Sequence, residues 1–197
     1  MKPYTTATTE ASVGVNSPPY ISFLLKYERN GVDFMSFKNK VSIITGGSKG
    51  IGKHTAMTLA KLGSIVHIID VDESSLHNTV KELTNQNLKV YGYLGDVSNK
   101  KKVEEIFKSI YELNKRIDIL VNNAGILRDN LFFKMTEDDW DLVMNVHLKG
   151  AYNCSKEAQK YMVQQKWGRI INISSISALG NRGQANYATA KAGIQEI

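Results

Sequence analysis

Tyr187 and Lys191 bracket the stretch Tyr187-Ala-Thr-Ala-Lys191, so a helix there sets a phenol and an ammonium one turn apart on the same face. An ammonium held near a phenol favours the phenolate, which suits the tyrosine to general acid or base work. Upstream, Ser174 ends an apolar run, and a hydroxyl in that place can donate to a carbonyl oxygen as charge builds on it. Ser175 and Ser177 are close enough to be confused with it. Asn145 falls inside a long helical pattern, where asparagine is a poor helix former. A kink or a buried water site accounts for it; an exposed surface asparagine is the alternative.

A second group of residues points to a nucleotide. Thr45-Gly46-Gly47-Ser48-Lys49-Gly50-Ile51-Gly52 joins an apolar run to a helical one, and its glycines let backbone approach a pyrophosphate at a helix N-terminus. A tight turn without a ligand is the plainer reading of such a loop alone. Asp70 ends the second apolar run, where a carboxylate accepts from a ribose 2′-hydroxyl and repels a 2′-phosphate, favouring NAD over NADP. Lys49 pulls the other way, and a simple turn cap is the alternative for Asp70. Asp96 follows Gly95 at the next run's end, within reach of an adenine. Asn122-Asn123-Ala124-Gly125 ends the fourth run, and by itself is ordinary turn chemistry.

The elements that must hold these groups alternate. Val41–Thr45, Ile65–Asp70, residues 89–94, residues 117–121 and residues 168–174 read as strands. Helical patterns lie between them, over residues 51–62, from Asp72 as a cap to about 86, and over 98–114. Thr136-Glu137-Asp138-Asp139 opens a long helix running to about 165, and a last helix starts near Ala185. Apolar strands alternating with helices predict a three-layer α/β/α, doubly wound, Rossmann-like parallel sheet, with ligands at the carboxyl ends of its strands.

Composition narrows the classes. The 197 residues carry 25 basic and 19 acidic side chains, a net charge of +6, with 42% hydrophobic and 22% charged residues, as in ordinary globular proteins. Lys100-Lys101-Lys102 has no interleaved aromatics and reads as a solvated helix face, so nucleic acid is not an expected partner. No apolar run approaches the ~20 residues that span a bilayer. The single cysteine, Cys154, excludes an internal disulfide framework, and four scattered histidines give no metal pattern. Residues 1–34 are Ser/Thr-rich with Pro18-Pro19 and read as a disordered leader or a mis-annotated extension, with Met35 as the start of the domain over 35–197.

Taken in order along residues 38–197, these motifs resemble the short-chain dehydrogenase/reductase family, nearest to its 3-oxoacyl-(acyl-carrier-protein) reductases. Gly125-Ile-Leu-Arg-Asp-Asn-Leu131 and Gly180-Asn-Arg-Gly-Gln-Ala-Asn-Tyr187 are similar to that branch. The resemblance implies a tetrad of Asn145, Ser174, Tyr187 and Lys191, with Asn145 holding a water that links Lys191 to solvent. It implies cofactor contacts from Gly46, Lys49, Gly50, Ile51, Gly52, Asp70, Asp96, Val97, Asn123, Ala124 and Gly125, as well as from Tyr187 and Lys191. The cofactor is NAD(P)(H): Asp70 favours NAD(H), family habit and Lys49 favour NADP(H), and no metal is implied. The implied reaction is hydride exchange with a carbonyl, most concretely 3-oxoacyl-thioester reduction. An NAD-dependent 3-hydroxyacyl-CoA or alcohol/steroid dehydrogenase is the second reading, and a non-catalytic nucleotide-binding subunit the third. Arg128, Lys166 and Arg182 are candidates to face an acidic acyl carrier protein, with a solvated surface as the alternative. A homo-oligomer, a tetramer when full length, and a cytoplasmic or organelle-matrix location are the remaining expectations. Family members continue past the Tyr–Lys helix, so the domain reads as incomplete, with an exposed apolar sheet edge and a poorly packed last helix.

Overall fold

The computed structural model describes residues 36–197; the reading of residues 1–34 as a leader and of Met35 as a start falls outside them. Among the described residues there are five strands: β1 (Val41–Thr45), β2 (Ile65–Asp70), β3 (Val90–Leu94), β4 (Ile119–Asn122) and β5 (Arg169–Asn172). Six α-helices among the described residues accompany them: α1 (Gly50–Lys61), α2 (Glu73–Thr84), α3 (Lys100–Asn114), α4 (Glu137–Met144), α5 (Gly150–Gln164) and α6 (Ala185–Gly193). The strands form one parallel sheet in the order β3-β2-β1-β4-β5. The order reverses between β1 and β4, which opens a crevice at their carboxyl ends.

Both faces of the sheet are covered, which is why its central strands read as unbroken apolar runs. Successive side chains point to opposite faces, so Ile43 and Leu120 enter one core with Phe107, Ile110 and Cys154 of α3 and α5. Ile44 and Val121 enter the other, with Ala56, Leu76 and Leu83 of α1 and α2. Asp118 shows why β4 starts later than expected. Its fully buried carboxylate accepts from Val41 N at 2.8 Å and pairs with Arg116 at 2.6 and 2.7 Å, ending the apolar register just before Ile119.

The expected long helix over 136–165 is interrupted. A π-helical turn spans Asn145–Lys149 between α4 and α5, starting at the asparagine that the sequence marks as a poor helix former. The outer edge at β5 exposes Ile171, as expected of an apolar edge. Helix α6, expected to be poorly packed, is instead well anchored: Asn186, Ala190 and Lys191 are all buried. No helix among the described residues is long and apolar enough to cross a membrane.

Candidate active site

The crevice at the switch point is a cleft of about 620 Å³, bordered by the carboxyl ends of β1, β2, β3 and β4. Its floor is the loop after β1. Gly46 and Gly50 take positive φ of 61° and 49°, a left-handed backbone that favours glycine. A Cβ on Gly46 would come to 2.8 Å from the Ala124 Cα, so the loop lies directly on the end of β4. Thr45 and Asn123 lock that contact. The Thr45 hydroxyl oxygen accepts from the Asn123 and Ala124 N–H groups, both at 3.0 Å, and the Asn123 amide donates to the Thr45 and Gly46 carbonyls at 3.0 and 2.9 Å.

Helix α1 starts from this loop with Lys49 at its N-cap position, no side-chain cap and no acidic residue in its first turn. By contrast, Asp72, Asn99 and Thr136 cap α2, α3 and α4 with their side chains. The α1 N-terminus is therefore left to an anion. Ile51 and Gly52 do not line the cleft; Gly52 packs against the Gly46 carbonyl and Ile51 faces solvent.

The cleft wall at β2 is acidic. Asp70 accepts from the Ser48 hydroxyl at 2.6 Å and from Ser48 N and Asp72 N at 3.1 Å, so its carboxylate is fixed rather than swinging free. The Lys49 ammonium reaches Asp72 at 2.7 Å, and this hydrogen bond holds the Asp72 carboxyl well below the usual carboxylate range and raises Lys49. Asp96 accepts from Ser98 N at 2.8 Å beside Val97, and both line the cleft with Asn123, Ala124 and Gly125.

Tyr187 and Lys191 stand on α6. Lys191 is 4% exposed, and its Nζ lies 5.7 Å from the Tyr187 ring centroid and donates to the Ile173 carbonyl. Burial pushes the lysine's pKa down. Ser174 donates its hydroxyl to the Lys191 carbonyl at 2.7 Å and accepts from Gln195 Nε2 at 2.8 Å. Ser175 instead caps the short turn Ile176–Leu179, accepting from Ser177 N, and Ser177 donates to Gln184. Of the three serines, Ser174 is the one bonded to the Tyr–Lys helix.

Asn145 does not join them. Its side chain is exposed and borders a shallow groove with Leu148 and Tyr152. The residue facing the pair is His147, two positions on, which is 3% exposed and sets its ring 5.2 Å from that of Tyr187 at an interplanar angle of 88°. The helical period carried this signal: Val143, His147, Ala151, Cys154 and Ala158 share the buried face, and Asn145 lies off it. Asn186 carries no sequence signal of its own. It is fully buried and its amide donates to the Arg128 and Asp139 carbonyls at 2.9 and 3.2 Å, tying α6 to the loop after β4.

Of the basic residues proposed for an acidic carrier, Arg128 lines the cleft and Arg182 is exposed near α6. Lys166 precedes β5 and so sits at the opposite end of that strand from Ser174. Cys154 is buried, which drives its thiol up to about 12 and removes it as a nucleophile. No group of metal-ligating side chains occurs among the described residues.

A family model described as short chain dehydrogenase matches residues 40–197. Over 160 residues the chain is 42% identical to the (2S)-[(R)-hydroxy(phenyl)methyl]succinyl-CoA dehydrogenase subunit BbsD of Thauera aromatica, covering 81% of this chain and 64% of that protein. It is 42% identical over 161 residues to the 3-oxoacyl-(acyl-carrier-protein) reductase FabG of Thermotoga maritima, covering 81% of this chain and 65% of the relative. The crystal structure of gox2181 superposes with a TM-score of 0.79 at 32% identity, over 82% of this chain and 64% of the other. The chain thus spans just under two thirds of the length of these relatives.

Proposed function

This chain belongs to the short chain dehydrogenase family, and from that premise we propose that it is an oxidoreductase that exchanges a hydride between a nicotinamide cofactor and the carbonyl of a 3-oxoacyl thioester. One observation carries the reading: the glycine-loop cleft reaches Ile126, whose peptide is bonded to His147, and His147 packs on Tyr187, which stands one turn from the buried Lys191 on α6. When bound, the nicotinamide supplies or accepts the hydride.

The chain's own groups do the rest. The uncapped N-terminus of α1 and the loop at Gly46–Gly50 receive the pyrophosphate. Ser174 rotates its hydroxyl from the Lys191 carbonyl towards the substrate oxygen and orients it. Tyr187 gives that oxygen its proton as the carbonyl is reduced and takes one back in the reverse direction. The Lys191 ammonium favours the charged phenol oxygen that remains.

The acidic wall supports NAD(H) over NADP(H). Asp70 stands fixed where a ribose hydroxyl donates, and a 2′-phosphate there would meet two carboxylates. Lys49, the nearby cation, is already paired with Asp72. The similarity to FabG supports a carrier-linked acyl substrate, with Arg128 and Arg182 available to an acidic carrier protein. A second reading, a dehydrogenase of hydroxyacyl-CoA substrates, is favoured by the similarity to a CoA-linked dehydrogenase subunit. Turnover of 3-oxoacyl groups on carrier protein and on CoA, each with NADH and NADPH, decides between them. Greater kcat/KM on the carrier supports the first reading and greater kcat/KM on CoA the second.

A further inference from the structure

His147 is the side chain that touches both the cleft wall and Tyr187. Its Nε2 lies 3.0 Å from the Ile126 N–H and 2.8 Å from the Ile126 carbonyl oxygen. A neutral imidazole nitrogen either accepts or donates, so it serves one of these two groups at a time. Burial, ahead of the nearby Lys191 charge, lowers the imidazole's pKa and so favours the neutral ring. Ile126 in turn lines the cleft with Asn123, Ala124 and Gly125.

Two further observations show that the ring is seated rather than merely buried. Gly125 has no side chain where a Cβ would overlap the imidazole Cε1, so the chain closes around the ring. The other ring nitrogen, Nδ1, is buried and without a hydrogen-bond partner. An orphaned polar atom in a packed interior is costly, and each one calls for an explanation. The π-helical turn that carries His147 is itself an irregularity common at functional sites.

We infer that His147 is a positioning residue: it ties the cleft wall at Ile126 to the ring of Tyr187 and so sets the phenol's place relative to the bound cofactor. The inference rests on the reading of Tyr187 as the proton-transferring group. His147 does not meet the substrate. It acts through Tyr187, which its ring edge braces at 88°, and through the peptide that its Nε2 holds.

Two variants separate its contributions. His147→Phe keeps an aromatic ring against Tyr187 and loses the bond to Ile126, whereas His147→Gln keeps a group that both donates and accepts. A misplacement of the phenol lowers kcat in His147→Phe by about 10²-fold, with KM and cofactor Kd within about threefold of the original. His147→Gln recovers turnover to within about tenfold of the original. Undiminished kcat in a folded His147→Phe overturns the inference, and so does a loss confined to KM or cofactor Kd. An independent readout needs no turnover. The imidazole ¹⁵N resonances of His147, assigned by their loss in His147→Gln, shift when NADH or NADPH is added, because Ile126 borders the cleft. Resonances that stay fixed while the cofactor binds overturn it too. If Tyr187→Phe keeps its turnover, the functional reading itself fails; a dead Tyr187→Phe beside a fully active His147→Phe overturns only the role of His147.

Discussion

Ser174 donates its hydroxyl to the backbone carbonyl of Lys191 at 2.7 Å, so the residue that would orient a substrate also fastens the end of β5 to the Tyr–Lys helix. Removing it has two effects that separate by experiment. Ser174→Ala lowers kcat by about 10²- to 10³-fold, the magnitude of losing one donor to a developing oxyanion. It also lowers stability by about 1 kcal/mol, chiefly for the lost bond to the Lys191 carbonyl rather than the exposed one from Gln195, seen in a denaturant midpoint. Ser177→Ala, whose hydroxyl donates to Gln184, leaves kcat within about threefold of the original on the same scale of effects.

The proposed preference for NAD(H) rests in part on the pairing of Lys49 with Asp72. Asp72→Asn releases the ammonium while keeping an N-cap side chain for α2. Asp70→Ser takes away the carboxylate that opposes a 2′-phosphate. The double variant raises the ratio of kcat/KM for NADPH over NADH by about tenfold or more, since like charges brought together cost several kcal/mol. Steady-state kinetics with the two cofactors measure the ratio.

Gly46 is a loop position with no room for a side chain. Its φ is 61°, and a Cβ would press on the backbone of Ala124. Gly46→Ala is expected to weaken NADH binding by about tenfold or more and to destabilise the fold by about 1–3 kcal/mol. Fluorescence titration and thermal unfolding report these separately.

His67 gives the fold a pH dependence remote from the cleft. It is fully buried in β2, stacked on Tyr91 at 5.1 Å and held by Asn114 at 3.0 Å. Burial lowers its pKa from 6.5 to about 4, with the Asn114 bond opposing that shift. Below pH 6.5 the unfolded chain takes up a proton that the folded chain refuses. Stability therefore falls as pH drops from about 6.5 through about 4, by up to about 3 kcal/mol. Denaturant midpoints at pH 7 and pH 4.5 measure the loss, and His67→Gln flattens it.

The strands and their ends were legible because a parallel sheet buried on both faces writes itself as short apolar runs punctuated by glycine, asparagine and aspartate. On that basis Gly46, Asp70, Asp96 and Asn123 fall at strand ends, and in the structure all four border the cleft. Asn145 stands out in the sequence as a poor helix former, and its tetrad role is what the resemblance implies; in the structure it is exposed, and the buried face of that helix carries His147. What could not be read is what depends on distant backbone. The Asn186 amide meets carbonyls of Arg128 and Asp139, and Lys49 finds Asp72 across a loop, and neither meeting leaves a periodic trace.

The central claim is that Tyr187 moves the proton while the cleft holds the cofactor. Tyr187→Phe keeps the ring that packs against His147 and removes only the hydroxyl. The measurement is kcat on a 3-oxoacyl thioester together with the Kd for NADH in the same preparation. The account predicts a fall in kcat of roughly 10³-fold or more with Kd changed by less than about threefold. A variant that binds NADH and still turns over at the original rate contradicts it.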